Sequence, residues 1–542
     1  MATQSPTETT PLLNPPPEPQ SEILYPNGDT STTNLAVPDD PSTLYVWILM
    51  IGPFLSAFVA AVDSSMIATL SSPITSSFGS LSHLPWLASA YFIANAAVQP
   101  LSGKLTDIYG RRSGLVLANI VFALGNYMCA SAKTEWVLIA GRVVAGLGGG
   151  GIMAIATFLL SDLVPLRDRG MWQGIGNMIL GVGSGIGGVL GGWINDSLDW
   201  RATFLLQIPV TLLATIWTWF TIRIPTVDDG EGKPKLKRID YLGSISLFTT
   251  LVTLLLGMSA GGNTVSWTSP IVLISLPLSL ISLLVFIITE LKYAKEPIIP
   301  LPLLCDLSVA GGCLTNAFSS ASRFAMIFYL PLFLEAQGYT ATKIGLRLIP
   351  GSIGTAIASM IAGIIVRSTG RFYKLGIASQ VIYILGMAFI CTFTLRTSAW
   401  PPFVCFFIIN VGYGITLTTT ILALLSSVTA KDQAVITSAL FAFRSTGTVL
   451  GISAAGLTFQ NVLGNLLWEK LGGIDNATEC IQRIMDDFRV VNGLEEGLKE
   501  LALQAYMGAV RAVFFLMLAL GGLALVFTLL IRDRELSQRM AR

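Results

Sequence analysis

The residues with the most chemistry to offer are ionisable groups set inside long apolar runs. Asp63 stands in Val62-Asp63-Ser-Ser-Met-Ile-Ala-Thr-Leu70, and Arg142 in Gly141-Arg142-Val-Val-Ala-Gly146-Leu-Gly148-Gly-Gly150-Gly. Low dielectric penalises the charged form of an acid, so a carboxyl placed there is suited to accept a proton on one side of a barrier and release it on the other. The same carboxylate can pair with a cation, and the two uses compete, which is how exchange becomes coupled. An arginine in such a run has to face a polar interior or a partner. Further polar groups that can line a path are Asn95 and Gln99, four residues apart and so on one helix face, together with Asn316, Arg323 and Arg444. Tyr91, Tyr329 and Tyr413 offer ring faces to a cation.

Two glycine-bearing segments add mechanics. In Gly103-Lys-Leu-Thr-Asp107-Ile-Tyr-Gly110-Arg111-Arg112 the glycines permit a tight turn and close helix approach, while Asp107 with Arg111 and Arg112 can form an ionic latch between helix ends. In Gly183-Ser-Gly185-Ile-Gly187-Gly188-Val-Leu-Gly191-Gly192 small residues let two helices meet backbone to backbone. With a single histidine, His83, and six cysteines without a CxxC pair, no metal site is expected. No GxxxxGK[ST] phosphate loop appears, so ATP-driven pumping is disfavoured; the only cofactor-like requirement is a proton gradient. The near-neutral net charge of +1 gives no reason to expect nucleic acid.

The elements that must position these groups follow from composition. Hydrophobic residues are 52% of the chain and charged ones 12%, about half the usual charged share of soluble domains. The apolar residues fall in blocks of about 20, the length that crosses a bilayer as a helix. Fourteen helical spans are expected, at 45–66, 85–103, 113–131, 136–160, 170–194, 203–222, 239–260, 270–290, 307–334, 344–366, 375–395, 401–429, 435–461 and 506–531. The chain is therefore read as an all-α polytopic membrane protein. The Pro/Ser/Thr-rich segment 1–43 is read as a disordered tail. Lys and Arg concentrate in alternate short loops, which predicts that face, and both termini, to be cytosolic. The long loop 462–505 then lies on the opposite face, where Asn476-Ala-Thr478 is a glycosylation sequon.

Gly363-Ile-Ile-Val-Arg367-Ser-Thr-Gly370-Arg371 repeats the spacing of glycines and terminal arginine seen in Gly103–Arg111. This predicts two related six-helix bundles, 44–222 and 307–532, with a loop and an inserted helix pair over 223–306 and a short tail, 533–542.

The Gly103–Arg112 segment closely resembles the G-x-x-x-D-x-x-G-R-[KR] signature of the major facilitator superfamily. The Arg142 segment resembles the family's arginine-bearing fourth-helix motif. The Gly183–Gly192 segment is similar to its antiporter motif, with Gly188 where that motif has proline. Trp200-Arg201-Ala-Thr-Phe204, Phe443-Arg444-Ser-Thr-Gly447-Thr-Val-Leu-Gly451 and the Asp63 motif are similar to the fourteen-helix drug:proton antiporter branch. Pro85-Trp86-Leu-Ala-Ser-Ala-Tyr91 and Gln99-Pro100-Leu-Ser-Gly103 look like fungal vacuolar basic amino acid transporters.

That resemblance implies a monomeric antiporter that moves a cationic amino acid into the vacuole against protons. Asp63 would be the coupling site, and one of Arg142, Arg323 and Arg444 would receive the substrate carboxylate. Glu8-Thr-Thr-Pro-Leu12-Leu13 resembles an acidic dileucine signal read by a sorting adaptor. The alternatives are a plasma-membrane multidrug or toxin proton antiporter, a siderophore carrier, or, outside transport, a nutrient sensor. An enzyme is not expected.

Overall fold

The computed structural model describes residues 43–78, 84–223, 240–261, 265–293, 301–339, 341–398, 400–429, 432–473, 477–486, 491 and 495–534. Glu8, Leu12, Leu13, His83 and Asn476 fall outside them, so the sorting and glycosylation expectations do too. In hydrocarbon a segment must satisfy its own backbone groups, and the described chain is helical almost throughout. The first half contains α1 (Thr43–Phe78), α2 (Leu84–Tyr109), α3 (Arg111–Ala130), α4 (Glu135–Leu163), α5 (Leu166–Ser197), α6 (Trp200–Leu205) and α7 (Gln207–Thr221). A hairpin follows, α8 (Tyr241–Ala260) and α9 (Pro270–Lys292), then the short α10 (Leu301–Leu304). The second half contains α11 (Leu307–Ala336), α12 (Ala341–Thr369), α13 (Tyr373–Ile390), α14 (Pro401–Leu425), α15 (Gln433–Leu471), α16 (Ala477–Asp486) and α17 (Glu496–Thr528).

Among the described residues thirteen helical stretches are long and apolar enough to cross a membrane, with α6 and α7 forming one of them. α2, diluted by Asn95, Gln99, Lys104 and Asp107, is not among them; it packs between α4 and α15.

The two halves repeat one packing plan. α1 packs on α5, and α2 and α3 on α4, while α7 closes against α1 and α3; α11, α12, α13, α14, α15 and α17 do the same in the second half. Glycines set the shared spacing. Gly183 and Gly187 of α5 press on the Phe58 and Val62 carbonyls of α1, and Gly447 and Gly451 of α15 press on the Ala317 and Ala321 carbonyls of α11. The turns that end α2 and α12 both use a left-handed glycine, Gly110 at φ 90° and Gly370 at φ 70°, a conformation only glycine adopts cheaply.

The halves meet along two seams, α5 with α12 and α2 with α15. On the face that carries the Lys/Arg-rich loops the first seam is shut. Gly170 lies against Gly363, Gly174 against the Met360 backbone, and farther along Gly181 and Gly185 meet Ser352. Arg367 bonds Asp168 across this seam at 2.6 Å, and Arg169 donates to Gln433 at 2.6 Å.

The region expected as loop 462–505 is largely helical. α15 runs on to Leu471, α16 packs Ile481 and Ile484 into the second-half core, and α17 begins at Glu496. The polar Asn461, Asn465, Glu469 and Lys470, which suggested a loop, continue α15 as one helix.

A side chain at position 363 has no room, because its Cβ would meet the Gly170 backbone. Gly363→Val should therefore wedge the basic-face ends of α5 and α12 apart. In a cysteine-free background, Ser359→Cys should react faster with a membrane-impermeant maleimide once Gly363→Val is added. Unchanged reactivity would refute this seam packing.

Candidate functional site

The most deeply buried charges in the described structure are bonded to each other. Arg142 donates through one terminal nitrogen to both carboxylate oxygens of Asp63, at 3.0 and 2.8 Å. Their side chains are 1% and 0% exposed. The Arg142 guanidinium also sits 4.5 Å over the Tyr91 ring and 5.9 Å from the Phe204 ring, and its Nε donates to the Leu87 carbonyl at 3.4 Å.

The glycine run of α4 explains how so large a side chain reaches this place. Gly146 and Gly150 let α4 touch the α2 backbone at Tyr91 and Asn95, while Gly141 and Gly148 let it touch α3 at Cys129 and Phe122. α4 is wedged between two helices, and Arg142 projects toward α1. On the other flank of Asp63, α5 is brought in by Gly183 and Gly187, the latter against Val62 and Ser65.

This geometry gives Asp63 a partner on a helix distant in sequence and corrects one expectation. Arg142 is not available to a substrate carboxylate, because its charge is already committed to Asp63.

A second polar group lies in the second half, near the middle of α11 and α14 and about three turns into α15. Arg323 donates from Nε to Asn410 Oδ1 at 2.8 Å and lies over the rings of Tyr413 (4.6 Å) and Phe324 (5.3 Å). Asn410 Oδ1 also accepts from Thr355 at 3.2 Å. The Tyr413 hydroxyl is 3.0 Å from that of Ser320. Arg444, on the neighbouring helix α15, lies 4.2 Å over the Phe441 ring. The closeness of α15 to α11 follows from Gly447 and Gly451.

The group borders the α2/α15 seam. Phe324 meets Phe92 of α2 at 6.2 Å, and Ser445 donates to Gln99 Oε1 at 2.8 Å. Gln99 in turn donates to Asn95 Oδ1 at 2.7 Å.

Other candidates sit apart from both groups. Asn316 is 1% exposed and donates to Thr420 at 2.8 Å, which holds it inside the second half. Tyr329 packs against Phe459 with ring centres 5.4 Å apart and planes tilted by 52°, nearer the face opposite the basic loops. Gly191 is buried and Gly188 half-buried, whereas nothing lies within 4 Å of a Cβ at Gly192; close packing by this segment has ended there.

The expected contact between Asp107 and Arg111 is present. Arg111 pairs with Asp107 at 2.7 Å and also with Asp162 of α4 at 2.8 Å, so it ties α2, α3 and α4 within one half. Arg112 has no ion-pair partner among the described residues and lies 4.0 Å over the Trp219 ring. The ion pair that does cross between halves, Asp168–Arg367, was missed. The signal was present, since Arg367 occupies in the repeat the place that Asp107 holds in Gly103–Arg111.

The sequence profile of the Major Facilitator Superfamily matches residues 53–452. The chain is 33% identical to the Schizosaccharomyces pombe multidrug resistance protein fnx1 over 92% of this chain and 93% of that one. It is 32% identical to the same yeast's vacuolar membrane amino acid uptake transporter fnx2, over 96% and 90%. With the Saccharomyces cerevisiae vacuolar basic amino acid transporter 1 it shares 30% identity over 85% and 84%.

Breaking a buried pair from one side costs about 3–5 kcal/mol because it strands a charge. Asp63→Asn should accordingly lower the melting temperature of the detergent-purified protein sharply. The double variant Asp63→Asn/Arg142→Gln should recover much of that loss. If the double variant is no more stable than the single one, the pair is not what answers Arg142.

Proposed function

The chain belongs to the Major Facilitator Superfamily, and on that footing we propose that it is a proton-coupled antiporter that works by alternating access and moves basic amino acids into the vacuole. The observation that carries the coupling is the position of the Asp63–Arg142 pair. Asp63 stands on α1 between the contacts that Gly183 and Gly187 make with that helix, and α5 forms one side of the α5/α12 seam. Protonating Asp63 removes the charge that holds Arg142. The contact between α1 and α4 then loosens, and with it the support under α5. A proton arriving at Asp63 thus biases the seam between the halves.

The Asp168–Arg367 and Arg169–Gln433 contacts, with the Arg111 cluster beneath them, fit a gate at the basic face. That face is assigned to the cytosol, together with both termini. Supporting the vacuolar reading are the names of two relatives and the Glu8/Leu12/Leu13 segment that a sorting adaptor would read. The opposite face would carry Asn476 in the lumen. The fnx1 similarity supports a second reading, multidrug export at the plasma membrane.

The test is uptake of labelled lysine and arginine into proteoliposomes with an acidic interior. Accumulation that collapses when a protonophore is added is the expected result. The folded double variant Asp63→Asn/Arg142→Gln should retain at most downhill exchange, with no response to the pH gradient. Wild-type-like gradient-driven uptake by that variant removes the pair from coupling. Plasma-membrane residence together with no amino acid uptake would select the export reading.

A further inference from the structure

We infer that Arg323 and Arg444 form a carboxylate-binding site beside the α2/α15 seam, so that any solute this protein carries productively must bear a carboxylate. The inference rests on the transporter reading above and narrows its substrate class. Both guanidiniums sit on spanning helices, where an unanswered charge is costly. Neither has an ion-pair partner among the described residues. That sets them apart from Arg142, which is fully answered by Asp63.

Their surroundings orient them without neutralising them. Asn410 holds Arg323 by Nε alone, leaving its terminal amino groups without a hydrogen-bond partner among the described residues. The rings of Tyr413 and Phe324 flank its plane, and Phe441 flanks that of Arg444. Both residues are part-exposed rather than buried. Each is followed by a residue that touches α2 of the other half, Phe324 through Phe92 and Ser445 through Gln99. At these positions α11 and α15 therefore border the boundary between the halves.

A guanidinium without an ion-pair partner on a spanning helix is answered by a carboxylate, whose opposite charge offsets the cost of keeping it there. A guanidinium offers a planar fork that matches a carboxylate's two oxygens. A purely cationic solute meets the opposite situation, because adding a third positive charge beside these two is unfavourable at any short distance.

The experiment is ligand protection of the purified full-length protein against thermal unfolding, with lysine, lysine methyl ester, cadaverine, glutamate, acetate and sodium chloride as probes. Lysine should protect at concentrations about tenfold or more below its ester and cadaverine. Arg323→Gln and Arg444→Gln should abolish that discrimination, and Arg323→Lys should weaken it. Protection of the wild type by ester, cadaverine and lysine alike overturns the proposal, and this comparison needs no variant to fold. So does protection by chloride equal to that by every carboxylate, or no protection by any probe. If glutamate protects and lysine does not, and the arginine variants lose the glutamate effect, the site stands and the basic amino acid reading falls.

Discussion

Inside hydrocarbon a charge must be met by another charge or by an array of polar groups, since water is not there to do it. Much of the interior follows from how each half meets this demand. The first half encloses an acid and a base and lets them answer each other, with an aromatic face under the guanidinium. The second half places two arginines near its middle and supplies an amide, a phenol ring and hydroxyls, with no ion-pair partner for either arginine among the described residues. The halves share helix order and packing, yet one is electrostatically closed and the other open. On the exchange mechanism proposed above, a proton would open the closed pair and a solute would close the open one.

The shared packing comes from glycine, used differently on each side of a helix. Along α5, Gly183 and Gly187 turn toward α1, while Gly170, Gly174, Gly181 and Gly185 turn toward α12. The helix is therefore thin on two faces at once, and both neighbours approach to backbone distance. Side chains of ordinary size on either face would hold the halves apart or push α1, and with it Asp63, out of reach of Arg142. Dispersion between close backbones, rather than the hydrophobic effect, drives such association in lipid.

Much of this was legible in the sequence. Composition and block length gave the helical membrane class, and the Gly103–Arg112 segment with its echo at Gly363–Arg371 gave the two-half plan. Asp63, Arg142, Arg323 and Arg444 stood out because ionisable residues in apolar runs are rare. What could not be read was who faces whom. Asp63 and Arg142 look like separate functional groups until α4 is seen wedged by its glycines between α2 and α3. The Asp168–Arg367 contact joins the ends of α5 and α12, and although the repeat singles out Arg367, nothing in the sequence names its partner. Hydropathy also misjudged the segment after residue 461, because a helix does not stop where the bilayer does. Asn316 and Tyr329 illustrate the converse: a polar side chain in a span is as readily used to join neighbouring helices as to line a path.

The inserted hairpin makes the two seams mechanically unequal. α8 leans on α2 of one half and on α15 of the other, with Leu247 and Leu251 packed beside Ala97 and Leu440, and Leu255 beside Ile93 and Val449; α9 leans mainly on α8. Among the described residues nothing comparable covers α5 and α12, which close by direct backbone contact. If the halves rock as proposed, the hairpin keeps acyl chains out of the α2/α15 crevice. The bare crevice must zip and unzip by itself. Lipid composition and bilayer tension should thus be felt on one flank of the molecule more than on the other.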